Sequence, residues 1–362
     1  MKKHVNRHLL RVRPYVPGKP IEELQRQQGI KRVIKLASNE NPYPPSPRVL
    51  RAIERAALKV NRYPDPDCHA LRRVLARRLG VEARQLIFGN GSDELIVLAA
   101  RVFAREGSEV VVAKPSFLIY DIASRLQGAV IKAIPLRKDF HYNLSAMAAA
   151  VTAKTRIIFL GNPDNPSGQY LTETALRAFV EAVPKDVLVF VDEAYFEYVQ
   201  AEDYARSLNL LKRHRNVFVT RTFSKLYGLA GLRIGYGVGH PQLIDWFSRI
   251  REPFNVNSLA QAAALACLRD QDHYARLTDK IEGQRQYLYR SLRAMRVPFV
   301  ETWTNFVLIE LGSNAAEVAQ QLLLRGIIVR DMSAWGMKRF IRVSLGTAGE
   351  NRRFIKTLKE VL

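Results

Sequence analysis

Lys225 closes the run Thr222-Phe223-Ser224-Lys225, and Gly228, Gly231 and Arg233 follow it. A lysine amine flanked by hydroxyls can condense with a carbonyl and afterwards carry a proton. Asp192 follows the apolar run 187–191 and precedes Glu193-Ala194-Tyr195. A carboxylate placed there is expected to be partly buried and to need a cationic partner, such as a protonated pyridine nitrogen. Asn165 sits in Gly161-Asn162-Pro163-Asp164-Asn165-Pro166-Ser167-Gly168, a composition that also suits an ordinary turn. The stretch Gly89-Asn90-Gly91-Ser92-Asp93-Glu94 opens an apolar-periodic segment. Its glycines and free N–H groups could cradle a phosphate. It reads equally well as a capped helix start, with Ser92 as N-cap and Asp93 and Glu94 complementing the dipole.

Each signal is weak alone, and their order carries the weight. A phosphate turn, an asparagine turn, Asp-x-x-Tyr, Ser-Lys and an arginine eight residues later together supply what pyridoxal phosphate needs. Lys225 would attach it as a Schiff base, Asp192 would keep the ring nitrogen protonated, and Arg233 would pair with the phosphate. No metal-ligand spacing accompanies these groups, and no metal is expected.

These residues stand where short β-branched runs end. The runs are 86–88, 109–113, 130–136, 156–160, 187–191, 216–220 and 233–238, with amphipathic stretches such as 94–105 and 173–182 between them. Continuous apolar runs alternating with helices predict an α/β fold, its mostly parallel sheet covered on both faces. Ligands bind beyond the carboxyl ends of such strands. After Ser258 a long helical stretch from Leu259 to about Arg296 leads into strands at 306–310 and 340–345, with a helix at 315–325 between them. This predicts a smaller α+β domain. The expected organisation is an N-terminal arm and helix joining the small domain (1–35), a large cofactor-binding domain (36–265) and a small C-terminal domain (266–362).

The chain has 362 residues, 48% hydrophobic and 25% charged, which is ordinary globular usage for two or three domains. Two distant cysteines, Cys68 and Cys267, suggest unlinked thiols in a reducing compartment. The basic N-terminus lacks the apolar segment of a signal peptide. The longest apolar stretch, 262–268, is far short of the ~20 residues a membrane span needs. A cytoplasmic protein without a membrane partner is expected. The net charge of +22 has three readings: solubility or lineage bias, steering of small anionic substrates, or nucleic-acid binding. Arg72-Arg73, Arg77-Arg78, Lys212-Arg213 and Arg352-Arg353 are scattered rather than gathered into a stripe, so no nucleic-acid partner is expected.

Longer stretches carry a family likeness. They are Pro14-Tyr15-x-Pro17-Gly18-Lys19-Pro20, Lys35-Leu36-Ala37-Ser38-Asn39-Glu40-Asn41-Pro42-Tyr43 and Arg62-Tyr63-Pro64-Asp65, with the Asn90–Glu94 turn, Asn162–Gly168 and Asp192–Tyr195. Beyond these come the glycine-rich stretch from Thr222 to Gly235 and Arg342-Val343-Ser344-Leu345-Gly346-Thr347. On these residues the chain resembles the fold-type I pyridoxal-phosphate aminotransferases, and within them the histidinol-phosphate aminotransferases, over nearly its whole length.

The resemblance implies that Lys225 holds the cofactor and shuttles the proton, and that Asp192 pairs with the ring nitrogen. Asn165 and Tyr195 would hydrogen-bond the ring hydroxyl. Phe117 would stack on the ring where the family often has tyrosine. Gly91, Ser92 and Asp93, with Thr222, Ser224 and Arg233, would hold the phosphate. Tyr63 resembles a tyrosine that enters the neighbouring subunit's site, which implies a homodimer. Arg342 resembles the arginine that grips substrate carboxylates, Arg330 and Tyr15 resemble residues that hold a substrate phosphate, and Asn41 falls on the substrate side. Planar guanidinium forks suit either anion.

The implied reaction is the reversible exchange of histidinol phosphate and 2-oxoglutarate with imidazole-acetol phosphate and glutamate, in histidine biosynthesis. An aromatic amino-acid aminotransferase and a threonine-phosphate decarboxylase are rivals on the same scaffold. A transcriptional regulator reusing the fold is disfavoured, because only about 35 residues precede the likeness.

Overall fold

The computed structural model describes residues 4–12, 14, 18–30 and 32–362. A short strand, β1 (Ile34–Leu36), comes first among its strands. Seven strands of a larger sheet follow: β2 (Leu86–Gly89), β3 (Glu109–Lys114), β4 (Val130–Pro135), β5 (Thr155–Gly161), β6 (Leu188–Asp192), β7 (Val217–Thr222) and β8 (Gly235–Gly239). Their order is β2-β8-β7-β6-β5-β3-β4. The pairs from β4 through β7 are parallel, and only β8 runs against its neighbours.

Strand periodicity sorts the core of this sheet into two layers. Phe159, Phe190 and Phe218 lie in register on one face, against helices Ser92–Phe103, Leu118–Leu126 and Pro241–Ser248. Ile158, Val189, Val217 and Val219 line the other face with helix Glu173–Ala182. Glycines on β8 make room for the aromatic layer. A Cβ at Gly237 would stand 2.2 Å from the Phe218 ring.

The smaller sheet has the order β1-β11-β12-β10-β9, using β9 (Phe299–Val300), β10 (Phe306–Glu310), β11 (Ile327–Asp331) and β12 (Phe340–Ser344). β1 joins it in parallel beside β11. Residues 34–36, expected at the junction of arm and large domain, thus form an edge strand. Helix Ile21–Gln28 before it starts after Pro20 and stops at Gly29, whose φ is +69°, the left-handed end that glycine takes most easily.

One helical expectation needs correction. The stretch from Leu259 to Arg296 is two helices, Ser258–Leu268 and Gln271–Ala294. Asp270 leaves helical geometry (φ −126°, ψ 49°). The Gln271 side-chain amide donates to the carbonyls of Cys267 and Leu268 at 3.0 and 3.1 Å, satisfying helix-end acceptors that a continuous helix would have paired with backbone.

Cys68 and Cys267 are buried free thiols. Among the described residues no helix is long and apolar enough to cross a membrane.

Candidate active site

Gly161, Asp192 and Thr220 stand side by side at the carboxyl ends of β5, β6 and β7. A cavity of about 230 Å³ opens there, lined also by Ser92, Asp93, Phe117, Asn165, Tyr195, Thr222, Ser224, Lys225, Arg233 and Arg342. Most of the sequence-predicted residues therefore converge on one space.

Asp192 is buried beneath it. Its carboxylate accepts hydrogen bonds from Tyr120 Oη at 2.9 Å, the Ala194 N–H at 3.2 Å and Thr220 Oγ1 at 3.3 Å. Burial pushes the Asp192 carboxyl up to about 6, against the lowering effect of the Tyr120 and Thr220 bonds. Tyr120 is itself pushed well above the ordinary phenol range by burial and by Asp192, so it stays a donor. Its ring stacks on Phe159 at 4.7 Å. Tyr120 was not picked out in the sequence: it sits on an amphipathic helix, and nothing local marks it.

Lys225 lies in the loop after β7, with Nζ donating to the Asn39 carbonyl at 3.2 Å and standing 5.5 Å from the Tyr195 ring. Asn39 is the second residue that sequence reasoning passed over. Its φ is +54°, uncommon without glycine. Its side-chain amide donates to Tyr195 Oη at 2.8 Å, and its N–H donates to Ser344 Oγ at 2.8 Å. Burial pushes the Tyr195 phenol up to about 12, despite opposing effects of Arg342 and of the Asn39 bond.

The opposite wall joins a helix N-terminus to a guanidinium. Helix Ser92–Phe103 starts here with Gly91 at φ +81° as its cap residue. Its positive φ favours glycine, and a Cβ there would stand 2.5 Å from Arg233 Nη2, which would have to swing aside. Arg233, also left-handed at φ +54°, reaches Asp93 Oδ2 at 3.3 Å. Thr222 Oγ1 accepts from the Ser224 N–H at 3.1 Å and completes a ring of donors and hydroxyls at the helix N-terminus. Phe117 meets Tyr120 edge-on at 5.6 Å.

Arg342 enters from the smaller sheet. It is 4% exposed, donates from Nη1 to Asn165 Oδ1 and from Nη2 to the Ala37 carbonyl at 3.2 Å. Arg330 lies outside the cavity lining but directly opposite Arg342 in the β11–β12 register. Its guanidinium sits 4.8 Å from the Trp335 ring, which Arg342 approaches to 5.8 Å.

Three further sequence-predicted residues fall elsewhere. Asn41 lines a separate cavity, where its amide donates to the Leu226 carbonyl at 2.7 Å and its oxygen accepts from the Tyr43 N–H at 3.0 Å. It pins the lysine loop from behind. Tyr63 is 81% exposed and stacks on Phe254 at 4.6 Å, away from the cavity of its own chain. Tyr15 lies outside the described residues.

The family model for aminotransferase class I and II matches residues 31–358. The histidinol-phosphate aminotransferase of Moorella thermoacetica is 45% identical over 355 residues, spanning 98% of this chain and 92% of that protein. Histidinol-phosphate aminotransferase 1 of Nitrosococcus oceani is 44% identical over 349 residues, spanning 96% and 94%. Among solved structures, the Sinorhizobium meliloti histidinol-phosphate aminotransferase in complex with pyridoxal-5'-phosphate superposes with a TM-score of 0.91 at 32% identity, covering 98% and 96% of the two chains.

Proposed function

Because the chain belongs to the class I and II aminotransferases, we propose that it binds pyridoxal phosphate at Lys225 and transfers the amino group of histidinol phosphate to 2-oxoglutarate. The observation that carries this reading is one cavity holding the Lys225 amine, the buried Asp192 carboxyl and, at the start of helix Ser92–Phe103, the Arg233 guanidinium. The residues fit the cofactor. A phosphate suits the N-terminus of helix Ser92–Phe103 with the Arg233 guanidinium beside it.

Bound there, pyridoxal phosphate supplies a ring that takes up the electron pair left when the substrate Cα–H bond breaks. The protein's own residues do the rest. Lys225 Nζ takes the proton from the substrate Cα. Asp192 is suited to hold a ring nitrogen protonated, because its buried carboxylate is stabilised by a cation at contact. Tyr195 and Asn165, which line the same cavity, would donate to a ring oxygen, and Phe117 would offer an aromatic face. Arg342, with Arg330 beside it on the next strand, receives the substrate anions: a phosphate from one substrate, carboxylates from the other. Buried free thiols suit a reducing compartment, and we place the reaction in the cytoplasm.

A donor panel tests the reading. 2-Oxoglutarate-dependent turnover should be highest with histidinol phosphate, and a preference for phenylalanine or tyrosine would overturn the named substrate. Arg342→Ala should weaken glutamate and histidinol phosphate together, whereas Arg330→Ala should weaken histidinol phosphate more. A charge-assisted hydrogen bond implies losses of roughly ten- to a hundredfold in kcat/KM. If the overall positive field did the work instead, either single removal would cost little, and rising salt would abolish most affinity for both substrates.

An exposed Tyr63 ring outside its own chain's cavity fits a homodimer in which each subunit completes the other's site, as the family resemblance implies. Tyr63→Ala should impair turnover. Mixed with Lys225→Ala subunits under conditions of proven exchange, it should regain activity, because one hybrid site then carries both native residues. Exchange without regain would restrict Tyr63 to its own chain.

A further inference from the structure

Arg330 and Arg342 stand directly opposite each other across the antiparallel β11–β12 pair. Side chains so placed leave the sheet on the same side, and like charges there repel. What lies over them comes from the connection between the same two strands. Ser333–Trp335 is a single turn of 3-10 helix, with the Trp335 N–H donating to the Met332 carbonyl at 3.0 Å. This turn brings the Trp335 ring back over the pair. The ring centre is 4.8 Å from Arg330 Cζ and 5.8 Å from Arg342 Cζ, both within the reach of a cation–π contact. The Trp335 ring is itself held by packing. It is 5% exposed and belongs to a small cluster with Leu308, Met332 and Met337.

The chemistry of this contact suits a site that must receive an anion. A carboxylate set between the two arginines would pair with them and cancel charge that a substrate needs. An aromatic face attracts a guanidinium through its quadrupole and adds no net charge, and indole does so best. An arginine also loses rotamer freedom when it grips an anion, and a ring that holds it beforehand takes that cost out of the binding step. Two cations fixed side by side attract a doubly charged anion more than a singly charged one.

We propose that Trp335 is a positioning residue that holds Arg330 and Arg342 as a pair and so sets the preference for a phosphate-bearing substrate. This rests on the reading that the two arginines receive the substrate anions. Arg330 lies nearer the ring than Arg342, so the substrate that depends more on Arg330 depends more on Trp335.

The test compares Trp335→Phe, which keeps an aromatic face, with Trp335→Met, which fills the space without one. In the cofactor-loaded protein Trp335→Met should raise the KM for histidinol phosphate roughly tenfold, with a smaller rise for 2-oxoglutarate and kcat within about twofold. Trp335→Phe should cost about threefold or less. In an Arg330→Ala background the effect of Trp335→Met should shrink to a similar size, since the contact it removes is already gone. Ring-fluorinated tryptophan placed at position 335 keeps the shape and drains charge from the ring face, so the KM should climb with each added fluorine. That series decides if Trp335→Met melts. Equal losses in Trp335→Phe and Trp335→Met, a loss in kcat alone, an undiminished effect in the Arg330→Ala background, or no response to fluorine would each reduce Trp335 to packing and overturn the proposal. A native protein that does not turn over histidinol phosphate would count against the proposed reaction instead. Trp335 would then be judged by calorimetric binding of inorganic phosphate, where the same order of variants is expected and equal affinities overturn it.

Discussion

Replacing Lys225 by alanine should lower turnover by at least about three orders of magnitude, since proton transfer alone contributes roughly 10²–10⁴-fold and the covalent anchor is lost with it. Among the described residues, Lys225 is the only lysine that lines the cavity, and no histidine lines it. Neither Asn39 nor Tyr195, its neighbours at 3.2 and 5.5 Å, has a basic nitrogen to substitute. Binding of cofactor and substrate through the arginines should survive better than kcat. The native protein should be yellow when loaded, and borohydride should fix the cofactor on the Lys225 peptide. Fixation on another lysine, or a variant with near-native turnover, would remove Lys225 from the centre of the mechanism.

Asp192→Ala should cost roughly two to three orders of magnitude in kcat, the scale set by removing a preorganised charge from a buried site. The loss should fall on kcat more than on KM, because the interaction gains strength as negative charge develops on the ring. A second consequence appears in the cofactor-free protein. Burial raises the Asp192 carboxyl from its ordinary value of 3.8 to about 6 in the folded state. The folded state therefore binds this proton more tightly than the unfolded one. Its contribution to stability falls as pH rises from about 4 through 6 and stays at its minimum above, a difference of a few kcal/mol in order of magnitude. Asp192→Asn should accordingly raise the Tm of the cofactor-free protein at pH 8 and leave it nearly unchanged at pH 4. Opposite behaviour in melting curves at the two pH values would show that Asp192 is already paired without the cofactor.

Much of this site could be read along the chain because its residues end strands buried on both faces. Runs such as Ile157–Leu160 are apolar without interruption, so the first polar residue after each stands out. That logic singles out Asp192, whereas Thr222 and Lys225 are marked by the Thr222–Lys225 motif and the glycines after it. It does not extend to short or locally ambiguous structure. β1 and β9 have three and two residues, too few for a period to show. The break at Asp270 depends on a glutamine side chain competing for helix carbonyls, a contest that composition does not decide. Asn39 and Asn41 are two residues apart in one stretch. A left-handed backbone at Asn39 turns that side chain to Tyr195 and leaves Asn41 to the lysine loop. Tyr120 reaches Asp192 across 72 residues of sequence, a contact that exists only once the sheet has assembled.

Asn39 also ties the two sheets to one atom. Its carbonyl accepts from Lys225 Nζ at 3.2 Å and from Asn305 Nδ2 at 2.9 Å. Its N–H is fixed to Ser344 at the end of β12, and the chain just before it is sewn into the smaller sheet by β1. The lysine amine thus hangs from a tether anchored in the opposite sheet, while its own backbone belongs to the larger one. Any hinge-like displacement between the sheets must stretch or release that tether. In the cofactor-free protein the position of the lysine amine is therefore set jointly by the larger sheet that carries its backbone and the smaller sheet that holds Asn39.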